Sequence, residues 1–135
     1  MNNLILEKTD NTPGVMLDGT QHLVEFIGDS RPENAKLFFE PIFNWIKEYE
    51  NHLYYLSNEA SIHINTNVNF KLEYFNSSSA RYVIDIIKAL HTIELSNKKV
   101  TVVFNWFFDS EDEDLKDSGL EFVKMTGIPM NFTVK

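Results

Sequence analysis

Residues 62–74 read Ile-His-Ile-Asn-Thr-Asn-Val-Asn-Phe-Lys-Leu-Glu-Tyr, and their alternation decides the fold class. The even positions Ile62, Ile64, Val68, Phe70, Leu72 and Tyr74 are apolar, with Thr66 the exception, while His63, Asn65, Asn67, Asn69, Lys71 and Glu73 fill the odd ones. Successive side chains of a strand point to opposite faces, so this pattern predicts a strand with one buried face. A strand covered on both faces carries a continuous apolar run instead. The alternation therefore predicts helices on one side of a sheet and solvent or a partner on the other.

On the C-terminal side, Val83, Ile86, Ile87, Leu90 and Ile93 keep helical spacing up to Ser96-Asn97, and residues 100–108 are apolar almost throughout. This strand-helix-strand unit predicts a parallel pair with a right-handed crossover, and the apolar run predicts that 100–108 is the more central strand. The carboxylates of 109–114 precede a helix running through Val123, which Gly127 and Pro129 stop before a short last strand at 130–134. On the N-terminal side, residues 4–7, 15–18 and 22–27 read as strands, the last two joined across Asp18-Gly19 as a hairpin. Ser30-Arg31-Pro32-Glu33 reads as a helix start, with Ser30 as N-cap, Glu33 completing a capping box and Pro32 in the first turn. Ala35, Phe38, Phe39, Ile42, Phe43, Ile46, Tyr49 and Leu53 then form one apolar stripe; because it continues past Pro41, that proline predicts a kink rather than an end. The sum is an α/β (α+β) fold, a single mixed sheet of about five to six strands with about three helices mainly on one face. No linker, repeat or low-complexity segment divides the chain, so residues 1–135 are expected to form a single domain.

Composition narrows the function. The chain has 135 residues, 43% of them hydrophobic and 13% aromatic, ample for a core without disulfides or structural metal. Twenty acidic residues against twelve Lys and Arg leave a formal charge of -8, whose field repels phosphate backbones and anionic lipid; neither nucleic acid nor membrane is an expected partner. Without cysteine there is no thiolate ligand or cysteine nucleophile. The N-terminus reaches Glu7 too early for a signal-peptide core and no apolar run has membrane-spanning length, so a cytoplasmic protein is expected. His22, His52, His63 and His91 lack metal-ligand spacing, and the 109–114 run lacks the glycine and terminal glutamate of a calcium loop, so no metal or other cofactor is expected.

Asn76-Ser77-Ser78-Ser79 falls between the long strand and the second helix, at the carboxyl edge of the sheet and in the helix's first turn. Two readings stay open: Asn76 or Ser77 caps the helix, or a serine here is phosphorylated. The two are compatible. A phosphate would meet orphan N–H donors and the positive helix end, and Arg81, four residues after Ser77, reaches the added charge. A serine hydrolase would need an activating base and a nucleophile turn such as G-x-S-x-G, and the sequence has no such motif. No catalytic residue is expected. A constitutive scaffold, binding through its open polar sheet face with the serines as caps, is the other alternative.

Thr12-Pro13-Gly14-Val15, Gly28-Asp29-Ser30-Arg31-Pro32-Glu33-Asn34 and Leu72-Glu73-Tyr74-Phe75-Asn76-Ser77-Ser78-Ser79 together resemble the SiaC family of bacterial regulatory phosphoproteins. The resemblance implies a fold similar to anti-sigma factor antagonist domains and a role in biofilm formation, exerted on a diguanylate cyclase. It also implies a cognate serine/threonine protein kinase and a metal-dependent protein phosphatase as partners, with only the unphosphorylated form activating the cyclase to raise cyclic di-GMP. By the same match Ser77 is the phosphosite, with Ser78 and Ser79 as alternatives. Asn76, Ser77, Ser78, Ser79 and Arg81 are then expected to face partners.

Overall fold

A computed structural model describes residues 1–59 and 62–135. The elements are strands β1 (Leu4–Leu6), β2 (Gly14–Asp18) and β3 (Leu23–Ser30), helix α1 (Ala35–Glu59), strand β4 (Ile64–Phe75), helix α2 (Ser77–Ser96), strand β5 (Val100–Phe108), helix α3 (Glu113–Thr126) and strand β6 (Asn131–Val134). They build a six-stranded mixed sheet in the order β1-β2-β3-β4-β5-β6, antiparallel from β1 to β3 and parallel from β3 to β6. Because the parallel strands advance in one direction, crossovers of one hand deliver every helix to the same face. There α1 packs on α2 and α2 on α3.

The core lies between sheet and helices. Val24, Phe26, Val68, Phe70, Leu72, Val102, Phe104 and Trp106 meet Phe39, Ile42, Tyr49, Ile86, Leu90 and Phe122, all buried. The opposite face is open, as the alternation in β4 predicted. A row of paired positions crosses it from Ile5 through Met16, Glu25, Asn69 and Asn105 to Asn131. Its asparagines form a ladder: Asn105 Nδ2 donates to Asn69 Oδ1 at 2.9 Å and Asn131 Nδ2 to Asn105 Oδ1 at 3.1 Å.

Four local expectations give way. Ser30 is not the cap of α1: it ends β3 opposite Phe75 and is buried. Asn34 takes the capping role, its Oδ1 accepting from Leu37 N at 3.1 Å, so the box of Ser30 and Glu33 does not form. The β2–β3 connection is longer than a two-residue hairpin turn, since Asp18 pairs with Leu23 and His22 lies in the turn at φ 55. Strand β5 is not the more central one, for it sits second from the edge while β4 lies further inside. Its apolar run persists because even its open-face residues Thr101, Val103, Asn105 and Phe107 are half-covered, Phe107 by Lys71 Nζ 5.1 Å above its ring. Ile62 precedes β4 rather than starting it. Helix α1 runs through Pro41; the carbonyl it leaves without an N–H donor belongs to Leu37, a residue that is 68% exposed.

One irregularity positions the site. Between Gly28 and Asp29 the register jumps, so Leu72 faces Gly28 but Tyr74 faces Asp29 and Glu73 is the extra residue. Such a bulge reverses the parity of the strand. Phe75 thereby turns inward against Trp106 and Phe122, while Glu73 and Tyr74 are both exposed.

Candidate functional site

Strand β4 ends at Phe75 and α2 starts at Ser77, with Asn76 between them in extended backbone at φ -86, ψ 176. Asn76 is the helix cap: its Oδ1 accepts from Ser79 N at 2.9 Å, and its own N donates to the Ser30 carbonyl at 3.1 Å. The junction is thus tied to the end of β3 as well as to its own helix.

The three serines have different surroundings. Ser79 is 0% exposed, and its Oγ donates to the Ser30 carbonyl at 3.0 Å. A serine hydroxyl has one proton, so the 2.7 Å contact between Ser79 Oγ and Ser30 Oγ must be donated by Ser30. This two-bond latch crosses 49 positions of sequence and satisfies both buried hydroxyls. Ser79, expected among the alternative phosphosites and the partner-facing residues, is enclosed in this conformation. Ser77 and Ser78 are exposed. Ser78 lines a cavity of about 280 Å³ with Ala35, Arg81, Tyr82 and Asp85. The Ser77 hydroxyl takes no hydrogen bond among the described residues, because Asn76 already does the capping.

Arg81 lies one turn beyond Ser77 on α2 and is exposed. Arg31, which sequence reasoning did not select, directly follows Ser30; its N donates to Asn11 O at 2.7 Å and its guanidinium lies 5.8 Å from the centre of the Tyr74 ring. On the other flank a cleft of about 320 Å³ is lined by Glu73, Tyr74, Phe75, Asp112, Asp114, Leu115 and Ser118. Asp112 caps α3, its Oδ1 accepting from Leu115 N at 3.0 Å. The edge therefore carries Arg81 and Asp85 in the cavity beside Ser78, and Arg31 over the ring of Tyr74, which also lines the cleft with Glu73, Asp112 and Asp114.

The displaced titrations lie elsewhere, near the amino ends of the parallel strands. His22 Nδ1 is 2.8 Å from Tyr49 Oη, which is 2.7 Å from Thr66 Oγ1. Burial pushes Tyr49 up to about 12 and holds His22 below its usual value, with His52 adding to the depression. Of the other histidines, His63 bonds Thr101 and His91 lies beside Glu94. Among the described residues no group of His, Cys, Asp and Glu is arranged to hold a metal ion, and no helix is long and apolar enough to cross a membrane.

Comparison with known proteins follows the same outline. The family model described as SiaC family regulatory phosphoprotein matches residues 6–135. An uncharacterised protein of Pseudomonas aeruginosa strain UCBPP-PA14 is 23% identical over 129 residues, 96% of this chain and 94% of that protein. The structure of SiaC of Pseudomonas aeruginosa superposes with a TM-score of 0.76 at 22% identity, covering 100% of this chain and 98% of that one. SiaC from the same organism, in complex with the diguanylate cyclase SiaD that it activates, is matched with a TM-score of 0.81 at 22% identity, over 98% of this chain and 99% of that one.

Proposed function

The chain belongs to the SiaC family of regulatory phosphoproteins, and from this premise we propose that it is not an enzyme but a phosphoswitch acting on a diguanylate cyclase. In this reading residues 1–135 act as one unit in the cytoplasm. The unphosphorylated form binds and activates the cyclase, raising cyclic di-GMP and promoting biofilm formation. A serine/threonine kinase silences it by phosphorylating Ser77, and a metal-dependent phosphatase restores it.

The observation that carries this reading is the division of labour at the start of α2. Asn76 caps, Ser79 latches, and Ser77 is left exposed with no structural duty. A phosphate there adds a charge of about -1.5 to -2 next to the free N–H groups of a helix end, which the fold tolerates, while a partner surface fitted to a neutral hydroxyl does not. The complex formed by the Pseudomonas aeruginosa relative supports a cyclase as that partner. Ser78 is the alternative acceptor by exposure.

The test is to titrate the unmodified protein, Ser77→Ala and Ser77→Asp against a diguanylate cyclase of the same host and to measure cyclic di-GMP. The unmodified protein and the alanine variant should activate; the aspartate variant should not. Equal activation by all three overturns the assignment. A second reading, constitutive binding through the open sheet face, draws support from Ile5, Met16 and Ile27, which are neighbours there and exposed. It predicts that partner binding survives Ser77→Asp and is lost on Ile27→Glu.

A further inference from the structure

The motif of residues 28–34 is not absorbed by the switch as described, because the helix-capping role expected of Ser30 belongs to Asn34. Its position suggests another use. Ser30 pairs with Phe75 and its carbonyl accepts from both Asn76 N and Ser79 Oγ, so the residue after it stands beside the strand-to-helix junction. That residue is Arg31. Of the twelve Lys and Arg residues in the chain, only Arg31 and Arg81 are arginines: Arg81 lies one turn after Ser77 on α2, and the Arg31 guanidinium lies by the ring of Tyr74, three residues before Ser77. Both are exposed, and neither has a carboxylate within salt-bridge distance among the described residues.

We propose that Arg31 receives the phosphate carried by Ser77, clamping it together with Arg81 across the junction of β3 and α2; this rests on the reading of Ser77 as the phosphosite. The planar guanidinium presents paired N–H donors that match two phosphate oxygens, a fit that the ten lysines lack. The base of the side chain is fixed on three counts. Its N is held by Asn11 O, Ser30 before it is buried in the latch, and Pro32 after it restricts Arg31 to extended backbone. The free end has only a cation–π contact with Tyr74, which is 49% exposed. A dianion outcompetes that contact, since charge-assisted bonds to phosphate are stronger than an exposed cation–π pair. Phosphorylation then changes two surfaces at once: it covers the start of α2 and uncovers the ring of Tyr74.

The experiment installs phosphoserine at position 77 during translation of the full chain and follows the phosphate by ³¹P NMR against pH. The second ionisation of phosphoserine is ordinarily near 6, and an arginine in contact lowers it by about one unit or more. Arg31→Gln should raise it again by at least half of that shift, Arg31→Lys by less, and the Tyr74 ring resonances should move on phosphorylation in the parent protein. A phosphate that titrates identically in the parent and in Arg31→Gln, or a Tyr74 ring unaffected by the phosphate, overturns the clamp. Amide spectra of Arg31→Gln establish that the variant is folded. Lack of phosphate on Ser77 in protein from the native host overturns the phosphosite reading alone, since the installed phosphoserine makes the titration independent of any kinase.

Discussion

Replacing Ser79 with Ala should cost more stability than replacing Ser30, although the two hydroxyls share a hydrogen bond. Ser79→Ala deletes both bonds of the latch and strands a Ser30 hydroxyl that is 1% exposed. Ser30→Ala deletes one bond and leaves Ser79 donating to the Ser30 carbonyl. A net hydrogen bond is worth about 1 kcal/mol, and a buried polar group left without a partner costs about 1–3 kcal/mol. Ser79→Ala should therefore cost about 2–3 kcal/mol, reduced by a few tenths through the better helix propensity of alanine, and Ser30→Ala about 1 kcal/mol. The double variant has no stranded hydroxyl, so it should cost no more than Ser79→Ala alone, short of additivity by about 1 kcal/mol. Urea unfolding of the four proteins, compared by midpoint at constant slope, measures all of these. Equal single costs that add in the double variant would refute the assigned direction of the bonds.

Asn76→Ala should lose about 1 kcal/mol with its capping bond, whereas Ser77→Ala should stay within about 0.5 kcal/mol of the parent, both by urea midpoint; a cost at Ser77 equal to that at Asn76 would transfer the cap to Ser77. Gly119→Ala should destabilise despite the better helix propensity of alanine, because the new Cβ would lie 2.7 Å from both Phe132 and Trp106. Overpacking of about 1–3 kcal/mol exceeds a propensity gain of about 1 kcal/mol, and thermal unfolding followed by tryptophan fluorescence reads the balance. His22 and His52 are both held below 6.5 in the fold, mainly by burial. The unfolded chain then binds protons that the folded one refuses, so stability is complete above 6.5 and falls as pH drops from there through the folded values. Urea midpoints between about pH 7.5 and 5 should show this fall, and a smaller one in His22→Gln; a midpoint that holds constant in the parent contradicts it.

The sheet and its helices were legible because β4, α1 and α2 carry long, clean periodicities that tertiary packing reinforces. The six-strand order follows from short connections and one-handed crossovers. What escaped was non-local. Ser30-Arg31-Pro32-Glu33 satisfies a capping pattern, but the competing use of Ser30 depends on Ser79, which no window around Ser30 includes. The bulge at Glu73 leaves no compositional mark, yet it decides that Phe75 turns inward and that Tyr74 stays outside. Ser77, Ser78 and Ser79 look alike in sequence, and only the helix phase separates the buried one from the two exposed ones. The significance of Arg31 had a visible sign, the rarity of arginine in this chain, but without the β3–β4 register nothing linked it to Ser77.

The strand order has a consequence for how the molecule comes into being. Each strand from β2 to β6 pairs with the one made immediately before it, so during synthesis a new strand always finds its neighbour already in place. No strand has to wait for a later one to be inserted beside it, and the growing edge of the sheet moves with the ribosome. The latch between Ser30 and Ser79 joins the end of β3 to the start of α2, so both of its partners precede β5 in the chain. The contacts that tie the β4–α2 junction to β3 therefore need no residue from the last third of the chain.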